Sequence, residues 1–383
     1  MSSKDTYNII ITGGGTGGHY YPAMAIADAI MERSGSLTKG IKIKCHYIGS
    51  EFGIEQGLAP RSNYKYTLVP VKGFSRYLSL SSIFQNLILP IRLLVSYIKI
   101  KRLYKKLDPV ATIATGGYVS LLPGIVSSRK HIPLFVQEQN AFPGITTRML
   151  AKRAIGLFYA YDEVKEHIKD DVLFIKSGNP IRSSIKRIDT REARNIMGLD
   201  PGKFTIFIFG GSQGALSVNK YIAKRVQPWI HKYNIQILWQ TGKSSYDMLC
   251  QQFCEHKSIK LMQYIDNMSA AYSSADMAIA RAGALTLAEI ERIKIPSILV
   301  PLPTAAGNHQ YYNAKALASL GCAFIVEERE FPDTLFVKHL NNMINNPEKL
   351  LSMTTAFPER EEDAAEKIAQ EIFNALQTFY AWS

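Results

Sequence analysis

Two glycine-rich loops have the composition of anion-binding turns. Residues 13–19 read Gly-Gly-Gly-Thr-Gly-Gly-His, and residues 210–215 read Gly-Gly-Ser-Gln-Gly-Ala. Each loop follows an apolar run and precedes a helical pattern. Glycine lets the backbone turn sharply and direct several N–H groups to one point, and a helix N-terminus adds about half a positive charge. The pattern therefore predicts diphosphate binding at both loops, with Ser212 as an added donor. A tight turn without a ligand is the alternative for the first loop.

Several side chains beside these loops could act as acids, bases or hydroxyl acceptors. His19 lies near a helix N-terminus, which favours the neutral imidazole that a general base needs. Two more polar turns follow strands in the same half, at residues 115–120 and 138–140. The carboxyl ends of parallel strands share one edge, so these turns predict an acceptor cleft, although each could be ordinary turn chemistry.

A third pattern lies in the second half, where residues 281–289 read Arg-Ala-Gly-Ala-Leu-Thr-Leu-Ala-Glu. This segment places Thr286 and Glu289 on the first turns of a helix. A carboxylate there can accept two hydroxyl hydrogen bonds from a ribose. The alternative is a simple helix start with an acid that suits the helix dipole.

The elements around these loops predict an α/β protein. Short apolar runs alternate with helical patterns, and many runs are apolar throughout, as in strands of a parallel sheet buried on both faces. The sequence predicts strands at 7–12, 42–48, 110–115, 134–137, 204–209, 235–240, 277–280, 297–300 and 323–327. The strand, glycine loop and helix at the start recur about 200 residues later, which indicates two Rossmann-like domains. We expect domains at 1–180 and 181–358, and a C-terminal helix, 359–383, that packs back towards the first domain.

Composition indicates which kind of α/β protein this is. The chain has 383 residues, of which 46% are hydrophobic and 20% charged, so it predicts a globular protein with two domains. Four cysteines are too few and scattered for a disulfide framework. Cys250, Cys254 and His256 could suggest a metal site, but no second ligand pair follows, and we expect two unpaired helix residues. The N-terminus lacks the pattern of a signal peptide.

Positive charge is concentrated in one segment. The net charge is +13, and residues 56–107 contain ten Lys or Arg but no Asp or Glu. The same segment is rich in aliphatic residues, which favours an anionic membrane surface over nucleic acid as the partner. Its longest uncharged stretch, 77–91, has 15 residues, whereas a spanning helix needs roughly 20. We therefore expect an intracellular protein that is soluble or peripheral to the membrane.

The joint set of motifs resembles one family. The motifs are Thr-Gly-Gly-His, Gly-Gly-Tyr-Val-Ser, Glu-Gln-Asn, Gly-Asn-Pro-Ile-Arg182, Gly-Gly-Ser-Gln-Gly-Ala, Tyr-Ile-Asp-Asn-Met268, Gly-Ala-Leu-Thr-Leu-Ala-Glu and His309-Gln310. In order and spacing the chain resembles the MurG family of bacterial peptidoglycan synthesis, from about residue 7 to residue 373. The resemblance implies the GT-B fold, in which two Rossmann-like domains face each other across a cleft.

The resemblance also implies a reaction and its partners. N-acetylglucosamine would pass, with inversion, from UDP-N-acetylglucosamine to the 4-hydroxyl of muramoyl-pentapeptide on undecaprenyl diphosphate. The resemblance implies no metal and no cofactor, and a peripheral location on the cytoplasmic face of the bacterial inner membrane. Other cell-wall synthesis proteins are further partners that it suggests. Nucleic acid is not an expected partner.

By the same resemblance, a set of positions would form the site. His19 is the first candidate for the base and Glu138 the second. Donor-binding positions would be Thr16, Gly17, Gly18, Asn140, Arg182, Ser212, Ile265, Ala284, Leu285, Thr286, Leu287, Ala288, Glu289 and Gln310. Ile265 would read uracil through its backbone, Glu289 would hold the ribose and Gln310 the sugar hydroxyls, while Arg182 and Ser212 would face the diphosphate.

The chain departs from the family pattern at two places. Gln137 stands where the family has histidine before Glu-Gln-Asn, and an amide cannot act as a base. Residues 120–124 read Ser-Leu-Leu-Pro-Gly, where the family tends to have Ser-Gly-Pro-Gly-Gly, so a flexible glycine is missing from the acceptor loop.

Three other classes remain as alternatives. The nearest is another GT-B enzyme, such as a glycolipid glucosyltransferase or a UDP-sugar epimerase. A nicotinamide dehydrogenase would need an acid at the end of the second strand, where only Glu51 is close. A basic nucleic-acid-binding protein would spread its charge over a polar groove rather than over aliphatic surface.

Overall fold

The computed structural model describes residues 6–35, 42–73, 80–169, 171–211, 214–331, 334–359 and 363–380. The chain divides into two compact units. The first unit is Met1–Arg182 together with Glu361–Ser383, and the second is Ser183–Arg360. Ser212 of the second glycine-rich loop and Arg76, one of the ten basic residues at 56–107, lie outside the described residues.

Each unit is built on a parallel sheet. The first sheet contains β1 (Thr6–Thr12), β2 (Lys42–Ser50), β3 (Lys65–Val69), β4 (Ala111–Ala114), β5 (Leu134–Glu138), β6 (Gly156–Tyr159) and β7 (Leu173–Lys176). The second contains β8 (Thr205–Phe209), β9 (Gln236–Gln240), β10 (Ile259–Met262), β11 (Met277–Ala280), β12 (Ser297–Leu299) and β13 (Ala323–Ile325). Their spatial orders are β3-β2-β1-β4-β5-β6-β7 and β10-β9-β8-β11-β12-β13.

Helices connect the strands. In chain order they are α1 (Gly17–Ser34), α2 (Glu55–Leu58), α3 (Leu80–Leu107), α4 (Leu121–Arg129), α5 (Ile145–Ala151), α6 (Val164–His167), α7 (Thr190–Met197), α8 (Leu216–Ala223), α9 (Val226–Tyr233), α10 (Lys243–Phe253), α11 (Met268–Ser274), α12 (Ala284–Ile293), α13 (His309–Ser319), α14 (Thr334–Asn345), α15 (Pro347–Thr355) and α16 (Ala364–Tyr380). Short 3-10 helices lie at Ala59–Arg61, Tyr118–Ser120, Ala306–Asn308 and Glu328–Glu330.

Both sheets reverse their strand order at one point. In the first sheet β1 lies between β2 and β4, and in the second β8 lies between β9 and β11. Loops leave such a switch point in opposite directions and open a crevice at the carboxyl ends of the strands, where ligands of α/β proteins bind. Both glycine-rich loops follow the strand at a switch point, so the fold places them where anions are expected.

Helices cover both faces of the first sheet. Ile9 and Ile11 of β1 pack with α1 and α16, whereas Ile10 packs with α3 on the opposite face. Successive strand side chains alternate between faces, so a strand buried on both sides is apolar throughout. In α16, Ile372 and Leu376 are buried in the same cluster as α1, whereas Phe379 is 57% exposed.

The predicted α/β class is confirmed, and the nine predicted strands are present with ends shifted by at most two residues. Four strands were not predicted: β3, β7, β10 and β6. The first three are the edge or near-edge strands that carry exposed or charged residues, and β6 has only four residues, beginning with Gly156.

The expectation of unpaired Cys250 and Cys254 is wrong. The two sulfurs form a disulfide within and just after α10, with Cα atoms 4.6 Å apart. One helical turn brings the side chains of residues four apart close enough to form a disulfide. Cys45 and Cys322 are free and buried.

One helix has the dimensions of a membrane span. Among the described residues, Ile83–Leu107 is long and apolar enough to cross a membrane by length and composition alone, with a mean hydropathy of 1.4 and 11% burial. Ile100 and Tyr104, in the same helix, are fully buried against the core of the first unit.

Candidate active site

His19 lies in the first turn of α1, at the carboxyl end of β1. Its Nδ1 is 3.0 Å from the carbonyl oxygen of Thr115 and 2.9 Å from Oε1 of Gln139. Both neighbours are acceptors, so we assign the proton of the neutral ring to Nδ1. This tautomer leaves the lone pair of Nε2 for a substrate proton, as a general base requires.

Two glycines make room for the imidazole. A Cβ at Gly116 would lie 2.8 Å from Nδ1 of His19, and one at Gly117 would overlap the carbonyl oxygen of Gly14. Both have positive φ, at 100° and 77°, which other residues rarely adopt. The Thr-Gly-Gly turn after β4 therefore serves to seat His19, and glycine is needed there for both space and conformation.

Gln139 is itself held from several sides. Its side-chain nitrogen donates to the carbonyl of Thr115 at 2.7 Å and to the side-chain oxygen of Gln137, and its backbone carbonyl accepts from the side chain of Asn179 at 3.0 Å. Gln137 and Gln139 are almost fully buried. The sequence prediction named this motif but gave Gln139 no role, because nothing in the sequence joins it to His19.

Glu138, the second candidate base, is occupied by its own loop. The side chain is 2% exposed. One carboxylate oxygen accepts from the backbone and side-chain nitrogens of Asn140 at 2.9 and 3.1 Å, and the other accepts from Gly144 at 3.1 Å. These contacts engage both carboxylate oxygens and fix the turn after β5.

Three predicted donor positions of the first unit, Thr16, Gly17 and Gly18, lie at the start of α1. Thr16 is the N-cap residue, and its carbonyl accepts from His19 and Tyr20 at 3.2 and 3.1 Å. Thr16 and Gly18 are exposed. The guanidinium of Arg182 lies 4.9 Å from the ring centre of Tyr21 on the same helix. A cation and a helix N-terminus are thus both present at this part of the unit.

In the second unit, α12 places Glu289 next to Tyr272. The Tyr272 hydroxyl donates to Oε2 of Glu289 at 2.7 Å. Tyr272 is fully buried, with its ring edge-on to Phe207 and Phe209 at 5.6 and 5.5 Å. The carboxylate of Glu289 is therefore oriented by a rigid aromatic cluster, which the sequence prediction missed.

The other predicted positions of α12 divide by burial. Leu285 and Thr286 are partly exposed, whereas Ala284, Leu287 and Ala288 are buried. The buried side chains are part of the core and can approach a ligand only through their backbone.

Two further donor positions are tied to neighbouring segments. The N–H of Ile265 donates to Oε1 of Gln240 at 2.9 Å, so its carbonyl is the group left to read a base edge. Oε1 of Gln310 accepts from the N–H of Leu302 at 3.0 Å, which connects the start of α13 to the loop after β12.

Arg281, at the end of β11, joins three parts of the second unit. Its guanidinium donates to the carbonyls of Val300 and Pro301 at 3.2 and 3.1 Å and to the Ser217 hydroxyl at 2.9 Å, and it pairs with Glu328. The side chain is 9% exposed. These contacts hold the start of α8 against the loop after β12.

No cluster of three or more His, Cys, Asp or Glu that could hold a metal occurs within the described ranges.

Fold and site together define a two-domain glycosyltransferase of the GT-B class. The chain matches the glycosyltransferase family 28 N-terminal domain over residues 9–158 and the family 28 C-terminal domain over residues 205–371. It has the fold of MurG from Acinetobacter baumannii, with a TM-score of 0.72 and 23% identity over 96% of this chain and 99% of that one.

Curated relatives specify the family. The chain is 36% identical to a protein of Prosthecochloris aestuarii, over 94% of this chain and 98% of the relative. It is 33% identical to one of Cytophaga hutchinsonii, over 99% of both. Both relatives are named UDP-N-acetylglucosamine–N-acetylmuramyl-(pentapeptide) pyrophosphoryl-undecaprenol N-acetylglucosamine transferase. The chain belongs to this family of transferases, as the motifs indicated.

Proposed function

We propose that this enzyme transfers N-acetylglucosamine from UDP-N-acetylglucosamine to the 4-hydroxyl of a muramoyl-pentapeptide carried on undecaprenyl diphosphate. The observation that carries the proposal is His19, whose Nδ1 faces two acceptors at the switch point of the first sheet. A neutral histidine with a fixed tautomer is suited to activate a hydroxyl group.

The transfer is a single displacement. The acceptor oxygen forms a bond to the anomeric carbon as the bond from that carbon to the UDP oxygen breaks. The hydroxyl proton passes to Nε2 of His19, and UDP leaves with the bonding electrons. One displacement inverts the anomeric centre. Arg182, the loop that contains Ser212 and the helix N-termini would stabilise the charge that gathers on UDP.

The second unit would bind the donor. Glu289, oriented by Tyr272, would accept hydrogen bonds from the ribose hydroxyls. The carbonyl of Ile265 would accept from uracil, and Gln310 would contact the sugar. Each of these residues makes a hydrogen bond inside the unit, and a preorganised polar group binds a ligand with little cost in ordering.

The first unit would dock on the cytoplasmic leaflet through α3. Ile100 and Tyr104 attach one face of α3 to the core. The opposite face exposes seven large apolar side chains at helical spacing, each 41–70% exposed: Ile83, Phe84, Leu87, Ile91, Leu94, Val95 and Ile98. From first to last this stripe is about 22 Å long. An exposed apolar area of this size fits a lipid surface rather than water.

Basic side chains flank the stripe. Lys101 and Arg102 are exposed near its end. Arg92 lies 4.9 Å from the ring centre of Phe52, and Lys99 pairs with Glu51 at 3.4 Å, so these two cations are partly engaged within the unit. An acceptor with a lipid tail stays in the bilayer, so an enzyme with this surface can reach its headgroup.

A transfer assay tests the proposal. Purified enzyme is supplied with labelled UDP-N-acetylglucosamine and the lipid-linked muramoyl acceptor, and the disaccharide product and UDP are both measured. We expect equal amounts of both products, and a loss of both in His19→Ala. UDP release without disaccharide, or no transfer by the wild type, would overturn the proposed function.

A further inference from the structure

A buried carboxylate that the reaction above does not use lies beneath the first glycine loop. Glu55 begins α2 and is 0% exposed. Its Oε1 accepts from the N–H of Gly15 at 3.0 Å and from that of Ser50 at 2.9 Å, and its Oε2 accepts from Gly15 at 2.9 Å. Both oxygens of this buried carboxylate therefore have backbone donors.

Three glycines form the hollow that receives this side chain. A Cβ at Gly14 would lie 2.4 Å from Oε1 of Glu55, one at Gly53 would lie 2.1 Å from Oε2, and one at Gly49 would lie 2.8 Å from Cγ. None of the three is among the glycines with positive φ in the described chain. Glycine is therefore needed here for space, so the carboxylate and its hollow form one unit.

The contacts fix the whole turn before α1. The Tyr47 hydroxyl donates to the carbonyl of Gly13 at 2.6 Å, the N–H of Gly14 donates to Gly116 at 3.4 Å, and the N–H of Gly15 is held by Glu55. Burial, with Glu55 as the next cause, raises the pKa of Tyr20 to about 12. The carboxylate thus acts on several groups around the loop.

Glu55 stands where a bound anion would stand in a phosphate-binding loop. A phosphate at a glycine turn accepts from several backbone N–H groups, as this carboxylate does at Gly15 and Ser50. Its negative charge opposes a second anion at Gly15. An external anion at this loop is therefore restricted to the start of α1, where Thr16 and Gly18 are exposed.

We propose that Glu55 is a positioning residue of the transfer reaction, because its carboxylate replaces a ligand anion at Gly15 and holds the loop that carries His19 into place. His19 follows Gly15 by four residues, and its own N–H donates to the carbonyl of Thr16 in the same loop. Loss of the carboxylate would release the loop and misplace the imidazole. The proposal rests on the proposed role of His19 and of the first unit in acceptor chemistry.

The test compares Glu55→Gln with two glycine variants. Glutamine keeps the size of the side chain but turns an N–H₂ group towards backbone N–H donors. Gly14→Ala directs a methyl group at the carboxylate, whereas the matched control Gly57→Ala, also in α2, meets nothing within 4 Å. Kinetics are measured with acceptor and donor varied separately, together with UDP binding and thermal unfolding.

We expect kcat/KM for the acceptor to fall roughly ten- to a hundredfold in Glu55→Gln and Gly14→Ala, as for the loss of a hydrogen bond to a charged group. UDP binding should fall less than kcat/KM for the acceptor, because the proposed ribose and uracil contacts lie in the second unit, and Gly57→Ala should match the wild type. A loss of UDP binding as large as the loss of acceptor use, or unchanged kinetics in Glu55→Gln, would overturn the positioning role.

A double variant, Glu55→Ala with Gly14→Ala, tests the contact between Glu55 and Gly14 separately from any general loss of stability. In Glu55→Ala the hollow is empty, so adding Gly14→Ala should cost no further acceptor kcat/KM, whereas the same change in the wild type should be harmful. Additive effects would contradict the proposed contact. Amide hydrogen exchange at Gly15 should be slow in the wild type and faster in Glu55→Gln. This measurement reports on the loop independently of transfer. Absence of transfer by the wild type would therefore overturn the proposed function but not the role of Glu55 in holding the loop.

Discussion

The Nδ1 atom of His19 lies 2.9 Å from Oε1 of Gln139, 120 residues away in the chain. The partner is an amide, so it orients the ring and fixes the tautomer without placing a negative charge beside it. Gln137 in turn donates to the carbonyl of Glu138 at 3.1 Å and accepts from Gln139. Two neutral side chains therefore support the proposed base from within the core.

Replacing His19 by alanine should lower kcat by about 10²–10⁴-fold, the usual worth of general-base catalysis. UDP binding should persist, because the proposed ribose and uracil contacts lie in the second unit. Steady-state kinetics and UDP titration measure the two effects. His167→Gln, a change at an exposed histidine of the same unit, is the control. Turnover within a few-fold of wild type between pH 6 and pH 9 would exclude His19 as the base.

Changing Gln139 should separate orientation from charge. Gln139→Ala removes one of the two acceptors at Nδ1 and leaves the carbonyl of Thr115, and we expect a loss of kcat of about tenfold with an unchanged KM for the donor. Gln139→Glu keeps an acceptor but adds a negative charge beside the ring. That charge favours the protonated imidazole, so the acidic limb of the kcat/KM profile should move to higher pH. A profile identical to that of the wild type would show that Gln139 does not act on the base.

The strands and loops of this fold could be predicted because their signals are local. A continuous apolar run indicates a doubly buried strand, as in β8, and a glycine loop after it marks the switch point. The edge strands β3, β7 and β10 lack this signal: β7, for example, has the burial of a half-exposed strand, with Leu173 64% exposed. Such strands are recognised only when their neighbours in the sheet are known.

Supporting contacts could not be predicted for a different reason. Glu289 is marked by its place on a helix, but its partner Tyr272 lies 17 residues earlier on another helix. Glu55 likewise reaches Gly15 across 40 residues. These pairs depend on how the elements pack, and no periodic pattern in one chain records which buried polar groups meet.

Glu289→Ala should weaken donor use by roughly ten- to a hundredfold, because two hydrogen bonds from ribose to a charged group are lost. Tyr272→Phe keeps the carboxylate but removes its orienting hydroxyl, so its effect on the donor KM should be smaller. Both variants should retain acceptor binding. Donor KM values and UDP titrations show which of the two substitutions has the larger effect. An unchanged donor KM in folded Glu289→Ala would rule out the ribose role.

His46 should make the protein less stable in acid. Burial, together with Lys65 and Lys106, lowers the pKa of this imidazole from 6.5 to about 4. The folded state therefore resists protonation. The contribution of neutral His46 to the free energy of unfolding is fully present above pH 6.5. It is lost as the pH falls from 6.5 towards 4, because only the unfolded chain takes up the proton in that range.

Between pH 7.5 and pH 5 this single group should remove about 2 kcal/mol of the free energy of unfolding. His46→Gln can still form a hydrogen bond with the hydroxyl of Thr67. Over the same pH range its free energy of unfolding should fall by about 2 kcal/mol less than that of the wild type. Urea titrations at the two pH values measure the difference, with His167→Gln as the control. Equal losses in His46→Gln and the wild type would contradict the assignment.

Membrane docking through α3 should depend on both apolar area and charge. Phe84 and Leu87 are 64% and 70% exposed, so replacing both with serine should leave the thermal unfolding temperature unchanged. Binding to vesicles with an anionic lipid should fall sharply in this variant, because each buried CH₂ contributes about 0.8 kcal/mol. Binding of the wild type should also weaken as salt rises, since each basic residue near the surface adds about 1 kcal/mol that salt screens.

The matched control for this experiment is Leu173→Ser on β7, because Leu173 is 64% exposed in the same unit but lies outside the α3 stripe. Vesicle flotation with zwitterionic and anionic lipids, at low and high salt, compares the three proteins. We expect Leu173→Ser to float like the wild type. Transfer to the lipid-linked acceptor should fall in the α3 variant, whereas UDP binding should not, because the docking surface serves only to reach the acceptor. Binding that ignores salt and the α3 substitutions, or that is lost equally in the control, would remove α3 as the docking surface.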